Sequence, residues 1–337
     1  VWTALLTLAL PLGLGALAAR TRLLEGPTGG GDPIGALNRF ALLVAFPALI
    51  VAAWLDPTRR MRLDHGLALV TLLGLAAGLG ASWLLGGRGV AGARLPARGA
   101  LALVALFGNT AYLGLPLVAA VLGPEAMGSA SFVVALQVTL SVTLGSYLLA
   151  RWSGREARGP ALVRKLASSP LAWSPVAGAA LAQARDAAGL AEHPAAVAMH
   201  TALDAVGRTA SPLGLFVLGL FLAAPAPHEA REGVGTSAEV LSRAARLAGD
   251  AAFAAVRLVA VPLATLAASA LCVRAGLLTR DGARLAVLLA AVPAAISTFA
   301  MAHEAGVEPA RVARAIVTTT LLSLATLPLF LWLAGEV

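Results

Sequence analysis

The sequence predicts an all-α polytopic membrane protein of ten transmembrane helices, and three observations predict it. Apolar residues make up 59% of the 337-residue chain and charged residues only 12%, against about 45–50% and about 25% in soluble domains. The mean hydropathy of +0.84 belongs to a chain whose solvent is largely lipid. The apolar residues fall in runs bounded by Arg, Gly and Pro clusters, each near the ~20 residues that cross a bilayer core. Ten such runs use ~200 residues and leave about 14 per connection, too few for a sizeable soluble domain.

Taken in order, the predicted spans are 1–19, 37–55, 66–86, 98–122, 126–149, 167–184, 198–223, 251–273, 283–303 and 312–334. The first is followed by no small-residue cleavage site and reads as a span rather than a signal peptide. The long connection after residue 150 divides the chain into a first five-helix repeat (1–150), a cytoplasmic linker (151–166) and a second five-helix repeat (167–337). An odd number of spans per half makes the halves enter the bilayer from opposite sides, as in an inverted repeat. Matched prolines agree with this: Ala45-Phe46-Pro47 in the second span answers Ala210-Ser211-Pro212 in the seventh. Likewise Leu101-Ala102 leads to Gly108-Asn109 in the fourth span as Leu285-Ala286 leads to Val292-Pro293 in the ninth.

Charge sets the expected direction. The net charge of +8 and pI near 11.2 do not indicate nucleic acid, because 24 arginines and the single Lys165 are spread over short loops. With both termini outside, 16 basic residues face the cytoplasm, five of them (Arg151, Arg155, Arg158, Arg164 and Lys165) in one loop, and 7 face out. That is the positive-inside bias of a plasma (inner) membrane protein. The lone Cys272 excludes a disulfide scaffold or a thiolate metal cluster.

Two spans carry their own interruptions. In Phe107-Gly108-Asn109-Thr110-Ala111-Tyr112-Leu113-Gly114-Leu115-Pro116, the two glycines weaken the helix and Pro116 removes a backbone donor. Asn109 and Thr110 are polar at bilayer depth. Irregular backbone is tolerated there only if buried in protein or lining a wet cavity. The counterpart, Val292-Pro293-Ala294-Ala295-Ile296-Ser297-Thr298, has a mid-span proline with two hydroxyls behind it. Where two such helices cross, the positive ends of their second halves favour an anionic group such as a carboxylate. A local reading of Ser297 and Thr298 also stands, in which both hydroxyls bond back to the preceding turn.

Gly-Asn-Thr-x-x-Leu-Gly-Leu-Pro at 108–116 resembles the signature of the auxin efflux carrier family of membrane transporters. Four further stretches are similar to that family in the same order. They are Leu37-Asn38-Arg39 with Ala45 to Leu49, Ala210 to Gly219, Pro293 to Ala302, and Thr319 to Leu329. The resemblance implies a 5+5 inverted repeat with the fourth and ninth helices broken and crossed, related to sodium/proton antiporters and bile-acid transporters. It implies a transport domain of spans 3–5 and 8–10 and a scaffold of spans 1, 2, 6 and 7 that forms a homodimer. The implied cargo is a small organic anion such as malate, malonate or an auxin-like acid, with no cofactor. By the motif match, Gly108, Asn109, Thr110, Pro116, Pro293, Ser297 and Thr298 are expected at the substrate site, with Gln137 of the fifth span as a further polar candidate. Ser297 stands where the family often has an asparagine, so selectivity is expected to differ.

The remaining charges are few. Asp204 and Arg208 sit at i and i+4, with His200 one turn earlier, as a gating trio or a structural ion pair. Arg257 is expected to snorkel to the cytoplasmic interface, with Asp250 as its partner. His303-Glu304 closes the ninth span. No acidic residue lies in the central parts of spans 3, 4, 5, 9 and 10, which disfavours a sodium/proton antiporter and leaves coupling to H+ or Na+ open. A sodium-coupled bile-acid-type symporter is the alternative within transport. A membrane enzyme would need a Ser/His, paired-Asp or HExxH constellation inside the spans, and the sequence has none.

Overall fold

A computed structural model of the chain describes residues 2–21, 33–56, 64–90, 93–152, 170–223 and 237–336. The elements are helical almost throughout. In order they are α1 (Trp2–Arg20), α2 (Pro33–Phe40), α3 (Phe46–Leu55), α4 (His65–Leu85), α5 (Arg98–Leu106), α6 (Leu115–Val121), α7 (Met127–Leu140) and α8 (Ser146–Trp152). The second half supplies α9 (Pro170–Ala187), α10 (Pro194–Gly207), α11 (Ala210–Ala223), α12 (Ser237–Ala254), α13 (Val261–Arg274), α14 (Arg280–Ala291), α15 (Ser297–Ala305) and α16 (Pro309–Gly335). A two-residue ribbon pairs β1 (Gly89–Val90) with β2 (Ala93–Arg94). Among the described residues, four continuous helices are long and apolar enough to cross a membrane: His65–Leu85, Pro124–Leu149, Arg246–Arg274 and Pro309–Gly335. Shorter apolar helices accompany them at Leu10–Arg20, Leu43–Leu55 and Thr110–Val121. Large apolar side chains stand exposed on these elements, among them Leu271, Leu324 and Trp332. In water such surfaces would be sticky; against lipid they are the natural face.

Two compact units emerge. One comprises residues 1–64, 111–139 and 164–224; the other comprises 65–110, 140–163 and 225–337. In the first, α1 packs along α11, and α9 and α10 pack on α3. In the second, α13 packs on α4 and α14, and α16 packs on α12, α14 and α15. Its core includes Leu75, Ala102, Leu106, Leu148, Val261 and Ala290.

Proline shapes the helices without ending them. Wide π turns cover Ala41–Ala45, Thr110–Gly114 and Ala255–Ala260, each just before an X-Pro step: Phe46-Pro47, Leu115-Pro116 and Val261-Pro262. The ring of proline crowds the carbonyl one turn back and offers it no N–H. Widening the turn by one residue relieves the crowding, so Phe46 N–H donates to Ala41 O and Val261 N–H to Val256 O. This corrects one expectation, since Pro116 does not break its span: the helix resumes at Thr110 and runs through the proline to Val121. The predicted seventh span, 198–223, is instead two helices meeting at Arg208-Thr209. Pro212 lies one turn downstream and has no N–H for the Arg208 carbonyl.

Glycine permits a close helix contact in the first unit. A Cβ on Gly15 would strike the Phe216 carbonyl, and one on Gly219 would strike the Leu12 carbonyl. Small residues at both positions let α1 and α11 approach backbone to backbone, the usual means of packing helices in lipid. Gly219→Val is therefore expected to lower the thermal unfolding midpoint in detergent. Gly80→Ala, with open space around it, is the matched control and should not lower it.

Of the predicted 151–166 linker, Arg151 and Trp152 end helix α8, while the rest, with Arg155, Arg158, Arg164 and Lys165, lies outside the described residues, as do Arg22, Arg59, Arg60, Arg62 and Arg231.

Candidate functional site

The second unit contains the two interruptions. Helix α5 ends at Leu106, and Phe107 adopts φ −107° and ψ 80°, so the chain leaves the helix. Helix α14 ends at Ala291, and Val292 is extended at ψ 150°, as the residue before a proline prefers. The two extended pieces then pair with each other. Asn109 N–H donates to Pro293 O at 2.7 Å, and Ala295 N–H donates to Phe107 O at 2.9 Å. Gly108 and Ala294 are thereby opposed as a single antiparallel bridge, the non-hydrogen-bonded kind in which α-carbons lie about 4.5 Å apart.

Several further backbone groups at the break are partnered, as buried backbone requires. The Leu103 carbonyl accepts from Phe107 N–H at 2.9 Å. The Ser141 hydroxyl donates to Leu106 O at 3.1 Å. Ala294 N–H donates to the Thr319 hydroxyl at 3.2 Å, and that hydroxyl donates to Ala315 O at 2.6 Å. The Thr298 hydroxyl donates to Ala295 O at 2.6 Å, closing the first turn of α15. Thr298 thus follows the local reading, and its proton is already committed.

Arg257 completes the arrangement and corrects its expected position. It does not reach the interface: the residue is 0% exposed. From the π turn before Pro262 its guanidinium enters the break. Nε donates to Val292 O at 2.8 Å, Nη1 to Ala105 O at 3.0 Å and Nη2 to Leu289 O at 3.5 Å. These carbonyls belong to the C-terminal ends of both half-helices, α5 and α14. Asp250, the partner expected for Arg257, pairs instead with Arg314 at 3.5 Å. Gly108 makes room for the guanidinium, since a Cβ there would run into it.

Asn109 stands apart from this satisfied network. It is 2% exposed, and among the described residues its Nδ2 has no hydrogen-bond partner. A buried amide donor left unmet costs about 1–3 kcal/mol, so a native fold keeps one where something else is to fill it. Gly108, Asn109, Thr110, Pro293, Ser297 and Thr298 all lie at the paired breaks and are buried where their side chains are described; Ser297 is 8% exposed and Thr110 1%. Pro116 and Gln137 lie in the other unit, Pro116 in the first turn of α6 and Gln137 buried on α7. There the Tyr112 ring lies tilted against Phe46, with centroids 5.1 Å apart, and fills the space left by Gly214. Asp204 and Arg208 form the i, i+4 ion pair at 2.6 Å, with the arginine side chain 77% exposed. Glu308, which drew no notice in the sequence, accepts from Ala97 N–H at 2.8 Å and so caps α5 from the start of α16, while pairing with Arg311 at 3.2 Å.

Reading the sequence alone missed Arg257, Ser141 and Thr319 as parts of the break. The available signals were an arginine inside an apolar span and hydroxyls on apolar helices, neither of which names a partner. No curated protein matches the chain. The model of the family described as "Membrane transport protein" matches residues 30–331, nearly the whole length, from α2 into the last helix, α16. The chain is therefore a member of that family of integral membrane transporters, the auxin efflux carriers.

Proposed function

We propose that this protein is a secondary transporter of small organic anions, carboxylates such as malate, malonate or auxin-like acids. The single observation that carries the reading is the buried, unpartnered Asn109 amide beside the two paired breaks. Three physical features support it. The amide offers donors, which a carboxylate accepts. Helix α15 begins at Ser297 next to the break, and a helix N-terminus carries roughly half a positive charge. Arg257 adds a buried cation on the other side of Gly108. In a low-dielectric setting these favour an anion over a neutral solute or a cation.

In the proposed mechanism, the broken helices 4 and 9 of a ten-span, 5+5 inverted repeat carry the anion by elevator-type alternating access. Spans 3–5 and 8–10 move, and spans 1, 2, 6 and 7 form the dimerising scaffold in the inner membrane, with both termini outside. Ser297 and Thr298 shape the path at the paired breaks, and Thr298 contributes its hydroxyl lone pairs rather than its proton. The Asp204–Arg208 pair is an outer structural contact.

The test is a panel of mono- and dicarboxylates, with amides and amines of the same size as controls, read as thermal stabilisation in detergent and as uptake into proteoliposomes. A ligand at a hundred times its Kd stabilises the folded form by about 2.7 kcal/mol. Carboxylates are expected to raise the midpoint and to accumulate; stabilisation by amines but not by carboxylates would overturn the reading.

A further inference from the structure

We propose that Arg257 is a resident cation that ties the C-terminal ends of both broken helices together, so that the anion site works without a bound metal cation. The inference rests on the transport reading for its uptake arm only. Discontinuous membrane helices leave carbonyl oxygens at their C-terminal ends, and transporters commonly satisfy such ends with an inorganic cation or a proton. Here the ends of α5 and α14 meet one guanidinium, which donates to Ala105, Leu289 and Val292. Each helix end carries roughly half a negative charge, so two of them match one positive charge in sign and size. No ion pair joins Arg257 to a carboxylate among the described residues. A fully buried arginine at this depth is costly unless paired or bonded to carbonyls, and the two helix ends supply that compensation. The planar fork suits the task, because it presents donors in several directions at once where an ammonium is a point charge.

The arrangement has a consequence for ligand sign. With their negative ends neutralised, the broken helices present the neighbouring site with their positive ends alone. The π turn at Ala255–Ala260 and the missing side chain at Gly108 are what bring the guanidinium into place. Arg257 is thus a positioning residue: it holds the break in register and sets its field without being assigned a contact to the anion.

The experiment uses full-length wild type, Arg257→Ala, Arg257→Met and Arg257→Lys. Midpoints are measured in detergent in sodium, potassium or choline chloride, each with and without millimolar guanidinium. Wild type is expected to be indifferent to the choice of cation, in midpoint and in carboxylate uptake. Arg257→Ala is expected to fall by about 5–10 °C, as the loss of a buried charge partner does, to lose uptake, and to recover part of both when guanidinium refills the space. Should Arg257→Ala not fold, Arg257→Lys folding where Arg257→Met does not supports the charge requirement. Equal midpoints for Lys and Met variants overturn it. So does an Arg257→Ala protein as stable as wild type, or wild-type uptake that requires sodium. Absence of any carboxylate response in wild type would instead count against the transport reading, and the thermal arm would still decide the role of Arg257.

Discussion

Asn109→Ala is expected to weaken carboxylate binding by about one to two orders of magnitude, and with it uptake and the carboxylate-dependent rise in midpoint, while the ligand-free protein unfolds at a midpoint no lower than wild type. The two halves of this outcome have one cause. The Asn109 side chain is buried, and its Nδ2 meets no acceptor among the described residues. Removing it therefore costs no side-chain hydrogen bond among the described residues and relieves an unmet donor. The backbone role of the residue, donating to Pro293 O, is untouched by the substitution. A donor to an ionised ligand is worth about 1.5–3 kcal/mol, so affinity should drop by between roughly ten and a hundred and fifty fold. Asn109→Asp should be at least as damaging, since it places a like charge where the anion is to sit. Carboxylate uptake at the wild-type rate by the alanine variant would remove Asn109 from the site.

That both helices break was legible in the sequence because glycine and proline act locally: Gly108 and Pro293 mark the two interruptions within a residue. What the breaks do next was not legible. Pairing of Phe107–Asn109 with Pro293–Ala295 joins segments far apart in the chain, and no local pattern encodes it. Pro116 shows the converse error. Its signal is as strong as that of Pro293, yet a π turn absorbs it and the helix continues. Arg257 was hidden for a related reason. An arginine near the end of a hydrophobic span looks the same whether it turns out to the interface or in toward a helix break. Its acceptors lie 35 and 152 residues away, and only the fold brings them to it. The four helices long and apolar enough to cross a membrane were readable almost to their ends, as with 66–86 against His65–Leu85, because lipid imposes a length and a composition that a soluble core does not. The seventh span failed that test where Pro212 disturbs the turn before it.

Gly108→Ala should be among the most damaging single-methyl additions in the protein. Gly108 does not have a positive φ, so an alanine suffers no backbone penalty there and the whole cost is steric. The added Cβ would lie 2.5 Å from the guanidinium carbon of Arg257 and 3.1 Å from Val292 Cγ2. The guanidinium is held at three carbonyls and has no retreat that keeps them all. Overpacking costs about 1–3 kcal/mol, and each carbonyl stranded by a displaced Arg257 adds about 1–3 kcal/mol. A total near 3 kcal/mol or above corresponds to a midpoint lower by roughly 6–12 °C, with uptake lost because the break no longer holds its register. Gly145→Ala is the control. Its Cβ would meet the Leu103 and Leu106 methyls at 3.4 and 3.6 Å and the Leu140 carbonyl at 3.9 Å, all ordinary contacts, and little change is expected. The double variant Gly108→Ala with Arg257→Met removes the colliding group, so its loss should be smaller than the sum of the single losses, the sign of direct contact. Strict additivity would show that the two residues do not touch, and the account of the break built on Arg257 would have to be abandoned.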